Sequence, residues 1–255
     1  MGKKDLKFKL KSRELSIGSW ITIGNSIVAE LMAQAGFEWL TVDMEHSVID
    51  ISQAQELIRI IDLKGAVPLV RISNNNPDVI KHAMDSGAYG VIVPMVNSKA
   101  EAEQAVKSVR YPSFGIRSVG LSRAQKYGFD FNSYKEWLEK ESIVIVQIEH
   151  INAINNLEAI LSTQGVDGSI IGPYDLSGSL GYPGEFDRPE VKAELQKYEE
   201  ICNHLNKPMG FHIVQPDSGL VNNYRLKGYT FMAVGLDTLY LGTKCREILN
   251  EIKNR

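Results

Sequence analysis

Short apolar runs alternate along the chain with longer amphipathic stretches. The first run, SIGSWITI (16–23), precedes a helical pattern from Ser26 to about Gly36. The second, WLTV (39–42), precedes ISQAQELIRIIDL (51–63), where Ile51, Ala54, Leu57, Ile58 and Ile61 fall on one helical face. The third, VPLVRI (67–72), is followed by a helix that opens on Pro77 and closes on Gly87. GVIVPMV (90–96) leads into a helix over 98–109, and a loop rich in Gly, Arg and Ser fills 110–132. The remaining strand candidates are IVIVQIE (143–149), GSIIGP (168–173), PMGFHIV (208–214) and TFMAVG (230–235), with helices over 151–161, near 189–205 and over 237–252.

The strand candidates are continuously apolar rather than alternating, which marks strands covered on both faces, as in a parallel sheet flanked by helices. Eight strands alternating with helices in about 250 residues is the arithmetic of a (β/α)8 TIM barrel. An open doubly wound sheet usually needs fewer strands, and no GxGxxG follows the first run. Without a linker or a low-complexity segment, residues 1–255 read as one α/β domain.

Composition narrows the partners. The chain is 44% hydrophobic and 23% charged, as soluble proteins are, and its net charge of −3 points to neither nucleic acid nor an anionic membrane. No apolar run reaches the roughly 20 residues of a membrane span. The basic start, MGKKDLKFKLKSREL, has no apolar core of the kind a secretory signal needs, and reads as a solvated first helix. A cytoplasmic protein is the expectation. Cys202 and Cys245 lie far apart, without CxxC spacing, and read as buried or half-buried reduced thiols on helices.

In a barrel the chemistry sits at the carboxyl ends of the strands. Those ends carry Asp43, Glu45 and His46 after the second strand, Arg71 after the third, Gln147, Glu149 and His150 after the fifth, and Asp175 after the sixth, while His212 lies on the seventh. Glu149 and Asp175, from neighbouring strands, can chelate a hard divalent cation whose other positions go to water and substrate oxygens. His46 is the natural base and Asp43 is near enough to orient it. Arg71 offers a fork for a substrate carboxylate or a developing oxyanion. One acid after a strand is usually only a helix cap; acid, base and guanidinium on four strand ends are harder to explain that way. There is no GxSxG, HExxH or GxxxxGK[ST], and no lysine on a strand for a Schiff base.

The segments GSW, VDMEHS, VPLVRI, GVIVPMVNSKAEAEQAV, RYPSFGIRSVG, VQIEHINAINNLEAI and GVDGSIIGPYDLSGSLG resemble the HpcH/HpaI aldolases, which are class II, metal-dependent pyruvate aldolases acting on hydroxy-oxo-heptanedioate, dehydro-deoxy-glucarate and dehydro-rhamnonate substrates. The resemblance runs from about residue 7 to 250. The pair QIE and GPxDLSxSLG is its specific part. It implies Glu149 and Asp175 as ligands of Mg2+, Mn2+ or Co2+, His46 as base with Asp43 beside it, and Arg71 at the pyruvate oxygens. It also implies Gln147, Gly172, Pro173, Tyr174 and Trp20 around the substrate, and a loop with Gly115, Arg117 and Arg123 over the mouth. A last helix exchanged between subunits, in a hexamer built as a trimer of dimers, is a further implication, with Leu239, Leu241, Cys245 and Ile248 on its apolar face.

Three positions depart from the family's pattern: His150 stands for a usual threonine, Tyr174 for a usual alanine, and His212 for an apolar residue. They leave the metal ligands intact, and Tyr174 and His212, as substrate-binding residues, would reshape the pocket for a more polar or differently sized acceptor, so the aldehyde stays open. The activity so implied is reversible cleavage of a 4-hydroxy-2-oxo acid to pyruvate and an aldehyde. The alternatives are a citryl-CoA-lyase-like enzyme, whose CoA phosphates would find a basic cluster only in the 110–126 loop, and a non-catalytic barrel that binds a keto acid.

Overall fold

Eight parallel strands pair in chain order and close on themselves: β1 (Ser16–Ile21), β2 (Trp39–Asp43), β3 (Val67–Arg71), β4 (Gly90–Val93), β5 (Ile143–Ile148), β6 (Gly168–Ile171), β7 (Met209–Ile213) and β8 (Tyr229–Leu236). This is the expected (β/α)8 barrel. The computed structural model describes residues 5–254; the first four residues of the basic amino-terminal segment lie outside it.

Alternate residues of each strand face the lumen, where Trp20, Trp39, Leu69, Ile92, Ile145, Ile170 and Phe231 form an inner core, while their neighbours face the helices. Trp39 stacks on Phe231 at 4.2 Å between ring centroids. Its indole fills the space beside Gly18, where a Cβ would lie 2.0 Å from the ring. Only glycine fits there, so the large residue of one strand and the missing side chain of the next together fill the lumen.

The expected helices are present as α2 (Ser26–Gln34), α3 (Ile51–Leu63), α4 (Pro77–Asp85), α5 (Lys99–Val109) and α10 (Pro189–His204); the first four begin with side-chain caps, and α10 opens on Pro189 without one. Asp50 and Gln53 make a capping box at α3, and Asn25, Asn76 and Ser98 cap α2, α4 and α5. The stretch 151–161 is two short helices, α7 (Ile151–Asn155) and α8 (Leu157–Leu161), broken at Asn156.

Three helices leave little trace in the pattern. α6 (Phe131–Glu141) buries only Tyr134 and Leu138, α9 (Pro173–Ser179) spans seven residues, and α11 (Ser218–Leu226) buries none of its residues.

The first helix, α1 (Asp5–Ser12), corrects the expectation of a solvated one. Leu6 and Leu10 pack into the inner core and close the amino-terminal end of the barrel. Lys7 is buried with them, donating to Ser142 O at 2.7 Å and Asp167 Oδ1 at 2.5 Å. Burial pushes its ammonium below the usual lysine range, against the pull of Asp167.

The last helix, α12 (Asp237–Lys253), is the opposite case. Only Asp237 is buried on it, and Leu241, Ile248, Leu249 and Ile252 stand in solvent. Cys245 is exposed there, unlike buried Cys202 on α10, so the expectation of two sheltered thiols holds for one of them. No described helix is long and apolar enough to cross a membrane.

Candidate active site

The carboxyl ends of the strands bring Asp43, Glu45, Arg71, Gln147, Glu149 and His212 around one mouth. Neighbouring β2 and β3 place Asp43 directly opposite Arg71. Asp43 accepts from Arg71 Nε at 2.9 Å and from Nη2 at 2.6 Å. Its Oδ1 also accepts the backbone N–H groups of Glu45 at 3.0 Å and His46 at 3.2 Å. Burial alone would raise this carboxyl, but the guanidinium and the two amides hold it below the usual range. The structure therefore corrects one expectation: Asp43 orients Arg71, not the His46 ring. Trp20 supports the same guanidinium, whose carbon lies 4.4 Å above the indole.

His46 is exposed, and its Nε2 lies 3.8 Å from Glu45 Oε2. Glu45 in turn lies 3.3 Å from Arg71 Nη1, and its Oε2 is sealed from solvent without a hydrogen-bond donor. Burial pushes the Glu45 carboxyl up to about 7, with the charges of Glu149, Asp43 and Asp175 adding to it against the pull of Arg71. Glu45 is thus a member of the site, whereas its position in sequence left its role open.

Glu149 follows the last residue of β5 and is buried. Oε1 accepts the Met95 N–H at 2.7 Å, and Oε2 accepts from Gln147 Nε2. Met95 holds a left-handed backbone, φ 52°, uncommon for a side chain of its size. That strain aims its amide at the carboxylate, and nothing in the sequence signals it. Gly172 faces the same group: a Cβ there would lie 2.9 Å from Glu149 Cβ and 3.1 Å from Oε2. Burial raises the Glu149 carboxyl, and the charge of Asp175, in the first turn of α9, adds to the rise.

These carboxylates have the chemistry of a hard-cation site. Glu45, Glu149 and Asp175 repel one another, with Arg71 as the cation among them. Each Glu149 oxygen accepts one hydrogen bond and keeps a further lone pair. Among the described residues no group of three or more His, Cys, Asp or Glu side chains forms a metal cage. Two protein carboxylates with room for water and substrate oxygens suit magnesium-like ions, not a closed zinc site.

The remaining expected residues divide. Tyr174 is exposed and leans edge-on against Phe186, 4.8 Å between centroids. His150 is a helix cap, its Nδ1 accepting the Asn152 N–H at 3.1 Å. His212 turns inward on β7, its ring centroid 5.5 Å from that of Trp20. Asp237, buried near the mouth, binds the Thr22 and Ile23 amides at 2.8 and 2.7 Å and the Thr22 hydroxyl, stitching β1 to the end of β8.

The loop expected over the mouth lies at the other end of the barrel. Arg117 is buried over Tyr111, 4.4 Å from its ring, and donates to Tyr134 Oη at 2.8 Å. Arg123 donates to Asp62 at 2.8 Å and to Ser86 O at 3.2 Å, where α3 and α4 end. Helix carboxyl ends lie opposite strand carboxyl ends in such a barrel, so these two arginines are fixed away from the chain's own mouth.

The sequence profile described as HpcH/HpaI aldolase/citrate lyase matches residues 16–242. The chain is 38% identical to 5-keto-4-deoxy-D-glucarate aldolase of Shigella dysenteriae over 234 residues, 91% of this chain and 90% of that one. Among solved structures it is similar to an HpcH/HpaI aldolase/citrate lyase family protein from Burkholderia cenocepacia, with TM-score 0.92 and 29% identity over 98% of this chain and 99% of that one. An HpcH/HpaI aldolase from Desulfitobacterium hafniense gives TM-score 0.88 at 26% identity, over 98% and 97% of the two chains.

Proposed function

Because the chain belongs to the HpcH/HpaI aldolase/citrate lyase family, we propose that it is a divalent-metal-dependent aldolase that reversibly cleaves a 4-hydroxy-2-oxo acid to pyruvate and an aldehyde. One observation carries the reading: buried Glu149, under the charge of Asp175, shares a mouth with the clamped Arg71 and with His46. The relatives named 5-keto-4-deoxy-D-glucarate aldolase support it.

Glu149 and Asp175 would hold the cation: Mg2+, Mn2+ or Co2+. When bound, it supplies Lewis-acid polarisation of the 2-oxo group. The protein's own groups do the rest. Gln147 and the Met95 amide fix the Glu149 carboxylate. Gln147, Gly172, Pro173 and Tyr174 form the wall beside pyruvate. His46, through a water, takes the proton of the C4 hydroxyl, and Glu45 lies beside the imidazolium that results. The C3–C4 bond breaks, its electron pair moves onto the 2-oxo oxygen, and the pyruvate enolate then takes a proton at C3. Arg71, preorganised by Asp43 and Trp20, stabilises the negative charge as it develops.

A CoA-linked reaction has less support, since Arg117 is buried between tyrosines and Arg123 is paired with Asp62. The proposal includes a cytoplasmic homo-oligomer, a hexamer built as a trimer of dimers with α12 exchanged between neighbours. The exposed Leu241, Ile248, Leu249 and Ile252 on α12 support that exchange. The test is a screen of aldehydes with pyruvate and a divalent metal, read by product mass. Condensation products that disappear with EDTA are expected; binding of pyruvate with no product from any aldehyde would overturn the reading.

A further inference from the structure

His212 interrupts an otherwise apolar strand, and its surroundings give it a definite hydrogen-bonding character. It shares the inward register of β7 with Gly210, while Phe211 turns outward and stacks on Tyr224, 3.9 Å between centroids. Its ring lies against Trp20, the indole that carries the Arg71 guanidinium. One ring nitrogen, Nε2, lies 3.1 Å from the Gly235 carbonyl oxygen. A carbonyl only accepts, so that nitrogen carries the proton. Burial, with the Arg71 charge adding to it, pushes the imidazole down to about 4, so the ring is neutral near neutral pH. The other nitrogen, Nδ1, then bears a lone pair and can only accept.

Nδ1 has no hydrogen-bond partner among the described residues, and it is not among the polar atoms sealed from solvent. The mouth therefore presents a fixed acceptor beside Trp20 and Arg71. Glu149 and Asp175, the proposed metal ligands, follow β5 and β6, whereas His212 shares its wall with β1 and β8. A free acceptor beside the mouth favours a donor on the bound substrate, and among the parts of a 4-hydroxy-2-oxo acid the donors beyond C4 are hydroxyl groups.

Resting on the aldolase reading above, we propose that His212 is a specificity residue whose Nδ1 accepts a hydrogen bond from a hydroxyl on the aldehyde half of the substrate. The chain's acceptors are hydroxylated aldehydes rather than alkyl aldehydes of the same length. A neutral hydrogen bond of this kind separates the two classes by on the order of tenfold.

The experiment is the condensation of pyruvate with glycolaldehyde and with acetaldehyde, comparing kcat/KM for the aldehyde in the wild type, His212→Leu and His212→Asn. Leucine fills the space without an acceptor; asparagine returns an acceptor near the place of Nδ1. The ratio for two substrates of one preparation cancels the fraction of folded enzyme, so poor folding does not imitate the effect. The inference predicts a preference for glycolaldehyde of about tenfold in the wild type, its collapse in His212→Leu and its partial return in His212→Asn. An unchanged ratio in His212→Leu overturns it. Metal-dependent exchange of the pyruvate methyl protons with D2O in the wild type separates the two levels: exchange together with an unchanged ratio overturns the role of His212 alone, whereas no exchange and no condensation overturns the aldolase reading and this inference with it.

Discussion

Asp43 grips Arg71 with both carboxylate oxygens, at 2.9 and 2.6 Å, across the β2–β3 pair. The two bonds leave Nη1 as the guanidinium nitrogen not bound to Asp43, and Trp20 fixes the plane from one side. A rigid cation of this kind meets developing charge without reorganising.

Arg71→Lys keeps the charge and loses the fork and the stacked plane. Pyruvate formation is expected to fall by about 10²–10³-fold, the usual loss for one preorganised partner, while the far-ultraviolet circular dichroism stays that of the wild type. Steady-state kinetics measures it, and a fall of less than threefold would show that orientation at this site is immaterial.

Gly172→Ala addresses the metal site without touching a charge. The backbone of Gly172, φ −105°, is open to any residue, so Glu149, 2.9–3.1 Å from the new methyl, is the obstacle. Displacing an oriented ligand typically weakens metal binding by about 10–100-fold. Mn2+ titration by calorimetry reads the change, and equal affinity in the two proteins would mean that Glu149 is not held against Gly172.

The acid side of the stability curve should carry a contribution from His212. Its imidazole is held at about 4, below the ordinary value of 6.5. The folded protein thus favours the neutral ring, and protonation favours unfolding. The stabilisation is complete above pH 6.5 and is lost as pH falls from 6.5 towards 4, by at most about 3 kcal/mol. Chemical denaturation across that window, with His212→Leu as the reference, should show a steeper decline in the wild type; parallel curves would mean that the ring titrates alike in both states.

The inner core should respond most to Trp39. Trp39→Ala empties the space against Phe231 and Gly18, and a loss of about 3–5 kcal/mol is expected. Gly18→Ala adds a methyl that would lie 2.0 Å from the same ring, and overpacking typically costs about 1–3 kcal/mol. Urea unfolding measures both, and a Gly18→Ala protein of wild-type stability would refute the close approach.

The sequence pattern was legible where burial is continuous. All eight strands show as apolar runs because both faces are covered, and α3 shows because Ala54, Leu57, Ile58 and Ile61 share one buried stripe. α11 buries none of its residues, so it lacks the stripe a helix is recognised by. In the site, the residue types at strand ends pointed to one mouth, but pairing is a matter of three dimensions. Asp43 is three residues from His46 and 28 from Arg71, yet the register of β2 and β3 gives its side chain to the arginine. Met95 is invisible in sequence because its part is played by a backbone amide in a strained conformation.

Metal-dependent release of pyruvate from a 4-hydroxy-2-oxo acid is the most direct test of the account. With wild-type protein, pyruvate is expected to form with Mg2+ or Mn2+, to stop with EDTA and to resume when the metal is restored. Glu149→Ala is expected to lose at least about 10²-fold in rate under every metal condition. Turnover by Glu149→Ala at the wild-type rate, or full activity of the wild type in EDTA, would contradict a metal-dependent aldolase built on Glu149 and Asp175.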